Sequence, residues 1–448
     1  MSPKEPTLLQ LRFLGKPMAT LAWRADLPAF ALECDQSFLE CGHDLSPLHL
    51  PLELLARGPQ VFRPGDTPFT GGLPGLIADS LPDAWGERML RIELPGLQTV
   101  IGKLAAIGQR GPGAITFEPV LGNGGDTLNP TTTSLAALAD KADELRTSAV
   151  PLDTGKVNTV LARGGSTLGG AFPKISAHLP LHLSLAGDTL DLRKILVGGQ
   201  PPAGHCPCIL KFARSSDEAE GAVEFAWSQM ARAAGIRVPR ATLVTDRERR
   251  HFACARFDRH ARPDGTWGRR HVHTLSGMLH KRASDGAIDY EEFIRLTRNL
   301  CGVTGAAECF RRAVFNLLAV NRDDHGRNHA FLYDETTRTW MLAPAYDLNP
   351  NVANVLIGLT WLGHQEIPRS FDALVRLAAL GGLDTRQARE IYQQVEDATL
   401  GGWETAARHA DVPAAVFAYW KKEMETQTRA LRDDVRRTGR PTLPKRKH

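Results

Sequence analysis

The chain has 448 residues, 42% hydrophobic and 23% charged, with 54 Lys and Arg against 50 Asp and Glu for a formal charge of +4. That length exceeds one compact core and predicts two or three lobes of ordinary globular composition. So mild a basic excess gives no ground for nucleic-acid binding by the chain itself, and much of it sits in the tail "RRTGRPTLPKRKH", a solvated end.

The start, "MSPKEPTLLQLRFLG", carries an acid and two prolines before any short apolar run, unlike a secretory signal. No stretch approaches the ~20 apolar residues of a membrane helix. Seven scattered cysteines suggest no disulfide framework. Cys206 and Cys208 in "HCPC" lack the further Cys/His ligands that zinc needs and read as reduced thiols. The expected location is the cytoplasm.

In chain order, "LLQLRFLG", "MATLAWR" and "PAFALEC" are predicted strands, separated by Gly, Pro and charge. "FTGGLPGLIADSLPDAWGERMLR" opens a helix after Gly and Pro breaks. Composition shifts over 121–156 to the loop-like "LGNGGDTLNPTTTS" and a short helical stretch, with a boundary near 150. Next comes a strand before the loop "RGGSTLGGAFPK", then the strand "CILKFA". The helix "SSDEAEGAVEFAWSQMARAAG" has a capping-box pattern at Ser215 and Glu218 and a C-terminal stop at Gly235. "ATLVT" and "HFACARF" are strands joined by "DRERR". Beyond 285 the pattern is mostly helical. Phe310, Val314, Leu317 and Leu318 share one helix face, another helix starts near Asp384, and a last one covers 413–437. There is no internal repeat.

Four elements carry chemistry. In "NRDDHGRNHAFLYDE", Asp323 and Asn328 have the D-x-x-x-x-N spacing of a protein-kinase catalytic loop, with Arg322 before the aspartate and Asn321 in place of the usual His. An aspartate there orients an attacking hydroxyl, and an asparagine oxygen helps hold Mg²⁺ without a further charge. A solvated helix end is the bland alternative. One predicted hairpin later, "LAPAYDLNP" puts Asp347 where a kinase keeps its metal-binding aspartate, although "YDL" lacks the glycine of "DFG". The competing reading is an acidic turn. Lys211 is a lone lysine in an apolar strand, which phosphates would justify; otherwise it faces water. The following helix offers Glu224 as its ion-pair partner, with Glu220 and Glu218 as rivals. Gly164, Gly165, Gly169 and Gly170 form a loop whose amides could cradle phosphates. Each signal is weak alone. Their order, glycine loop, lysine strand, glutamate helix, catalytic loop, metal aspartate, is the specific evidence.

Together with "DSLPDAWG", "GGAFPK", "ILKF", "ARFDR" and "PAYDL", these motifs resemble the HipA family of serine/threonine kinase toxins over nearly the whole chain. The resemblance implies an α+β, two-lobed protein-kinase-like core with a β-rich N-terminal subdomain and a mostly helical C-terminal lobe. Its divisions would be a β-rich subdomain at 1–120, a linker with a short helix at 121–156, an N-lobe-like core at 157–284 and a helical C-lobe at 285–448. It implies ATP and Mg²⁺ as cofactors, Asp323 as the catalytic aspartate, Asn328 and Asp347 as metal ligands, and Lys211, Glu224 and the loop residues Thr167, Gly169 and Gly170 on the nucleotide side. Family members autophosphorylate a loop serine that switches the enzyme off. The equivalent here is Thr167, with Ser166 beside it, so this chain departs from the family's serine. The implied partners are a helix-turn-helix, HipB-like antitoxin, operator DNA through that antitoxin only, and a protein substrate such as an aminoacyl-tRNA synthetase, with no membrane. Asp258 and Arg259 of "ARFDR" read as structural. Two rival functions remain: a kinase-like antitoxin partner with little phosphotransfer, and a small-molecule phosphotransferase, which the "DSLPDAWG" lobe disfavours.

Overall fold

The structure, a computed structural model, describes residues 4–67, 70–122, 129–147, 156–165, 172–181, 189–214, 219–246, 249–284, 286–351, 358–361 and 367–438. The chain divides into two compact units. The first comprises Met1–Phe225, Pro239–Arg282 and His329–Ala343; the second comprises Ala226–Val238, Ala283–Asn328 and Pro344–His448.

The first unit begins with a five-stranded antiparallel sheet in the order β4-β3-β2-β1-β5. Its strands are β1 (Leu8–Phe13), β2 (Lys16–Arg24), β3 (Ala29–Cys34), β4 (Gln60–Phe62) and β5 (Ile115–Glu118). In β1 alternate residues Leu9, Leu11 and Phe13 point into a core with Leu21, Leu32 and Phe117. That period of two is what a sheet with one buried face requires.

The "DSLPDAWG" stretch joins helices Gly75–Ala78 and Ala84–Glu93. Its Asp79 carboxylate lies 2.6 Å from His273 Nδ1 and accepts from Thr274 N (2.7 Å) and Thr274 Oγ1 (2.6 Å). The approach is close: a Cβ on Gly75 would lie 2.0 Å from the Gly277 carbonyl oxygen, and one on Gly277 would lie 2.5 Å from Asp79. Asp79→Ala strips three donors of a charged acceptor, and stability is expected to fall by about 3 kcal/mol. Denaturant melts check this; a loss below about 0.5 kcal/mol would show that the carboxylate is replaceable by water.

The seven-stranded sheet has the order β6-β9-β7-β10-β12-β11-β8. Its strands are β6 (Thr131–Ser134), β7 (Lys174–Pro180), β8 (Thr189–Asp191), β9 (Lys194–Val197), β10 (His205–Lys211), β11 (Ala241–Asp246) and β12 (Arg249–Ala255). β10 lies between β7 and β12, antiparallel to both. Two sequence expectations are corrected here. The strand expected before the glycine-rich loop is a helix, Lys156–Gly165. Val160, Leu161 and Gly164 follow a three-to-four spacing, and Gly164 sits so close to Ile175 that a Cβ would lie 2.2 Å from it. The stretch expected as a linker with a short helix contributes β6, paired with β9, and helix Leu135–Thr147, whose Leu138, Ala142 and Leu145 enter the same core.

Asp258 of "ARFDR" accepts from Arg256 (2.9 and 2.8 Å), Arg259 (2.6 Å) and the Gly113 amide (3.0 Å). Arg259 and Arg269 reach the carbonyls of Gly111 and Gly113. Burial alone would push the Asp258 carboxyl up, but the guanidiniums hold it well below the usual range. The motif is a clamp on the 109–113 loop. Strands β13 (Arg259–Ala261) and β14 (Trp267–Arg269) form a hairpin. Strands β15 (His271–Thr274), β16 (Ala330–Asp334) and β17 (Thr339–Leu342) complete the unit as a three-stranded sheet.

The second unit is helical. Its element Tyr290–Leu318 starts on an Asp289–Glu292 capping box and breaks at Gly302, where φ is 70° and ψ −171°. Phe310, Val314, Leu317 and Leu318 are all buried. Trp227 packs on Trp403, with ring centroids 4.7 Å apart, and donates to the Ala319 carbonyl (3.0 Å). Helices Phe371–Leu380, Thr385–Glu396, Trp403–His409 and Ala414–Thr438 follow, the second capped by Asp384. All seven cysteines are free. Among the described residues no helix is long and apolar enough to cross a membrane.

Candidate active site

In the first unit, Lys211 ends β10, and its Nζ lies 2.5 Å from Glu224 Oε1 on helix Glu220–Ala233. The side chains are 13% and 7% exposed. A lone charge at that depth would be costly, and the pairing offsets that cost. Glu220 instead pairs with Arg214 and with Arg146. Ser215 and Glu218, the expected capping pair, lie outside the described residues, as do Ser166, Thr167, Gly169 and Gly170 of the glycine-rich loop. Gly164 and Gly165 end the preceding helix.

In the second unit, the chain leaves its long helical element at Leu318 and passes through Val320 at φ 56°. Asn321 forms a parallel bridge with Asn351, and the Asn351 amide donates to the Val320 carbonyl (2.8 Å). This ties the segment carrying Asp323 to the one that follows Asp347. Asp323 is half-buried, and its amide donates to Asn321 Oδ1 (3.3 Å). Asn328 Nδ2 donates to the Asp323 carbonyl (2.8 Å). That bond uses one of the amide's two donors, and its oxygen is of the hard type that a magnesium ion prefers. Tyr346 Oη donates to the Arg327 carbonyl (2.5 Å), closing the loop from the next segment.

Asp347 stands at φ 56°, the left-handed region that favours glycine, and Asn349 Nδ2 donates to its Oδ1 (3.1 Å). An aspartate held in that backbone state is aimed at some cost by its surroundings. Among the described residues no three His, Cys, Asp or Glu side chains converge as a self-sufficient metal cage.

One residue escaped the sequence analysis. Asp324 is 5% exposed, and the Tyr290 hydroxyl and Asn316 Nδ2 (3.2 Å) both donate to its Oδ2. Burial raises its carboxyl to about 6, opposed by the Tyr290 hydrogen bond and by Arg322. An unfolded aspartate releases its proton near 3.9. The folded chain therefore binds more protons in between, so the Asp324 contribution to stability is full below that pH and lost as pH rises through about 6. The one local signal was Asn316, a polar residue inside the apolar "AVFNLLAV" run.

Comparison with known proteins matches residues 9–118 to the HipA N-terminal domain and residues 166–403 to the HipA-like C-terminal domain. Over 197 residues, 40% of the chain, it is 27% identical to a putative kinase, Y4mE, of Sinorhizobium fredii (strain NBRC 101917 / NGR234). That alignment spans 45% of the relative, less than half its length. The fold is similar to a chain of the Shewanella oneidensis MR-1 toxin–antitoxin complex of HipA, HipB and operator DNA. The TM-score is 0.67 at 17% identity, covering 96% of this chain and 98% of that one.

Proposed function

Because the chain belongs to the HipA family, we propose that it is a Mg·ATP-dependent protein serine/threonine kinase acting as the toxin of a toxin–antitoxin pair. The observation that carries this is the 321–328 loop, where the Asn328 side chain is hydrogen-bonded through its nitrogen to the Asp323 carbonyl.

Magnesium bound to ATP neutralises charge on the transferring phosphoryl group. Asn328 and Asp347 would hold it, through one amide oxygen and one carboxylate. Asp323 accepts the proton of the attacking serine or threonine hydroxyl and aims that oxygen. Lys211 pairs with nucleotide phosphates, and Glu224 keeps its ammonium in place. Catalysis of this kind is mostly positioning and charge stabilisation.

The structural similarity to a component of a HipA, HipB and operator DNA complex supports a helix-turn-helix antitoxin as partner, with DNA reached through that partner. The family's habits favour a cytoplasmic protein substrate of the aminoacyl-tRNA synthetase class, and self-phosphorylation at Thr167 or Ser166. Incubating the purified chain with labelled ATP and cell lysate tests the central claim. Label should pass to a discrete protein only with Mg²⁺ and not from an Asp323→Asn variant. Label on small molecules alone would favour the small-molecule phosphotransferase, and no label at all the inert antitoxin partner. Asp347→Ala should weaken ATP binding at least about tenfold, roughly 1.4 kcal/mol, with Mg²⁺ present and little without it. Calorimetric titrations decide, and equal losses in both would make Asp347 a structural acid.

A further inference from the structure

We propose that Asp324 is a positioning residue of the catalytic loop: through Asn316 and Asn321 it fixes the Asp323 amide, and with it the direction of the Asp323 carboxylate. This rests on the reading of Asp323 as the base of a phosphotransferase.

The connection is a continuous buried chain. The Tyr290 hydroxyl and Asn316 Nδ2 meet at Asp324 Oδ2, and those two donors are themselves 3.0 Å apart. Asn316 Oδ1 accepts from Asn321 Nδ2 (3.1 Å), and Asn321 Oδ1 accepts from the Asp323 amide (3.3 Å). Tyr290, Asn316, Asn321 and Asp324 are 1%, 3%, 3% and 5% exposed, so water is a poor substitute for any of these bonds. Each amide uses its nitrogen in one direction and its oxygen in the other. Turning either one over would break at least two bonds at once.

The backbone is built around this arrangement. Tyr290 and Asn316 stand 26 positions apart in one helical element, which if straight would separate them by about 39 Å. The break at Gly302 turns the chain back so that both reach the same carboxylate. Opposite them, a Cβ on Gly358 would lie 1.9 Å from Asp324 Oδ1, and the Gly358 amide donates to the Arg322 carbonyl (3.1 Å). The Trp361 ring lies 4.6 Å from that of Tyr290. The Asp324 carboxylate thus meets the Tyr290 and Asn316 donors on one side and the Gly358 backbone on another. An acceptor-only group collects two donors that an apolar side chain would leave unmet.

The test uses the full-length protein and the variants Asp324→Asn, Tyr290→Phe and their combination. Two quantities are read: basal Mg·ATP hydrolysis, and amide hydrogen exchange by mass spectrometry. Asp324→Asn should lower kcat roughly 10–100-fold, the scale of misplacing a catalytic group by a fraction of an ångström to an ångström. Its KM for ATP should move less than about threefold, since no nucleotide contact is removed. Exchange at 321–324 should quicken about tenfold or more, while helix amides at 305–315 keep their protection. Tyr290→Phe should act in the same direction, and the double variant should fall short of the summed effects. Unchanged exchange at 321–324 overturns the proposal, and so does a loss of protection spread evenly over the helical element, which would mark a general structural role. Should wild type transfer no label from ATP to protein, the kinase reading fails while the exchange measurement still decides whether Asp324 orders the loop.

Discussion

Asp323→Asn is expected to lower phosphotransfer by roughly 10²–10⁴-fold, the usual consequence of losing a general base, and to leave the melting profile unchanged. Asparagine has the shape of aspartate but accepts no proton. Two main-chain contacts shape the loop at this position: the residue-323 amide donates to Asn321 and its carbonyl accepts from Asn328. Both survive the substitution. The residue is half-buried, so loss of its charge forces no rearrangement of a packed core. Phosphotransfer to lysate proteins and a thermal melt, read side by side, check the two halves of the statement. Near wild-type transfer with an intact fold would remove Asp323 from the chemistry.

The largest stability effect is expected at the Lys211–Glu224 pair. Glu224→Ala leaves an ammonium at the end of β10 with its 2.5 Å partner gone, and Lys211→Ala does the converse on the helix. Breaking one side of a buried pair typically costs 3–5 kcal/mol, so each single variant should lose about that much. Replacing both by apolar residues, Lys211→Met with Glu224→Leu, should recover most of the loss, because the two charges leave together. All three variants should lose ATP affinity. Denaturant unfolding with a double-mutant cycle measures the coupling. A double variant as unstable as the sum of the singles would mean that the two charges do not depend on each other.

Where burial follows a simple period, local sequence was sufficient. β1 alternates Leu9, Leu11 and Phe13 inward, and Phe310, Val314 and Leu317 return every three to four residues. The turn between β16 and β17 lies in the "DETTR" stretch because polar residues interrupt two apolar runs. The spacing fails where both periods fit a short segment. Residues 156–165 could be drawn as a strand, and the helix prevails because Gly164 must lie against Ile175 of β7. Thr131–Ser134 is polar on its surface and looks like a loop, yet it pairs with β9, since an edge strand needs backbone partners more than apolar side chains.

By itself the sequence named the candidate groups: a lysine strand followed by a glutamate helix, then an aspartate and an asparagine five positions apart, then a further aspartate, in an order that chance seldom produces. It also determined the family, because that order and its flanking motifs run nearly the whole length. Only the tertiary structure decided which glutamate meets Lys211, since Glu220 and Glu224 lie about one turn apart on the same helix face, and Glu224 takes Lys211 while Glu220 takes Arg214. Only the tertiary structure placed Tyr290, Asn316, Asn321 and Asp324 in one buried chain of hydrogen bonds. The physical reason is Gly302. A single residue at φ 70° reverses a helical element, and which distant side chains then meet depends on the packing of the two arms, which no local spacing encodes.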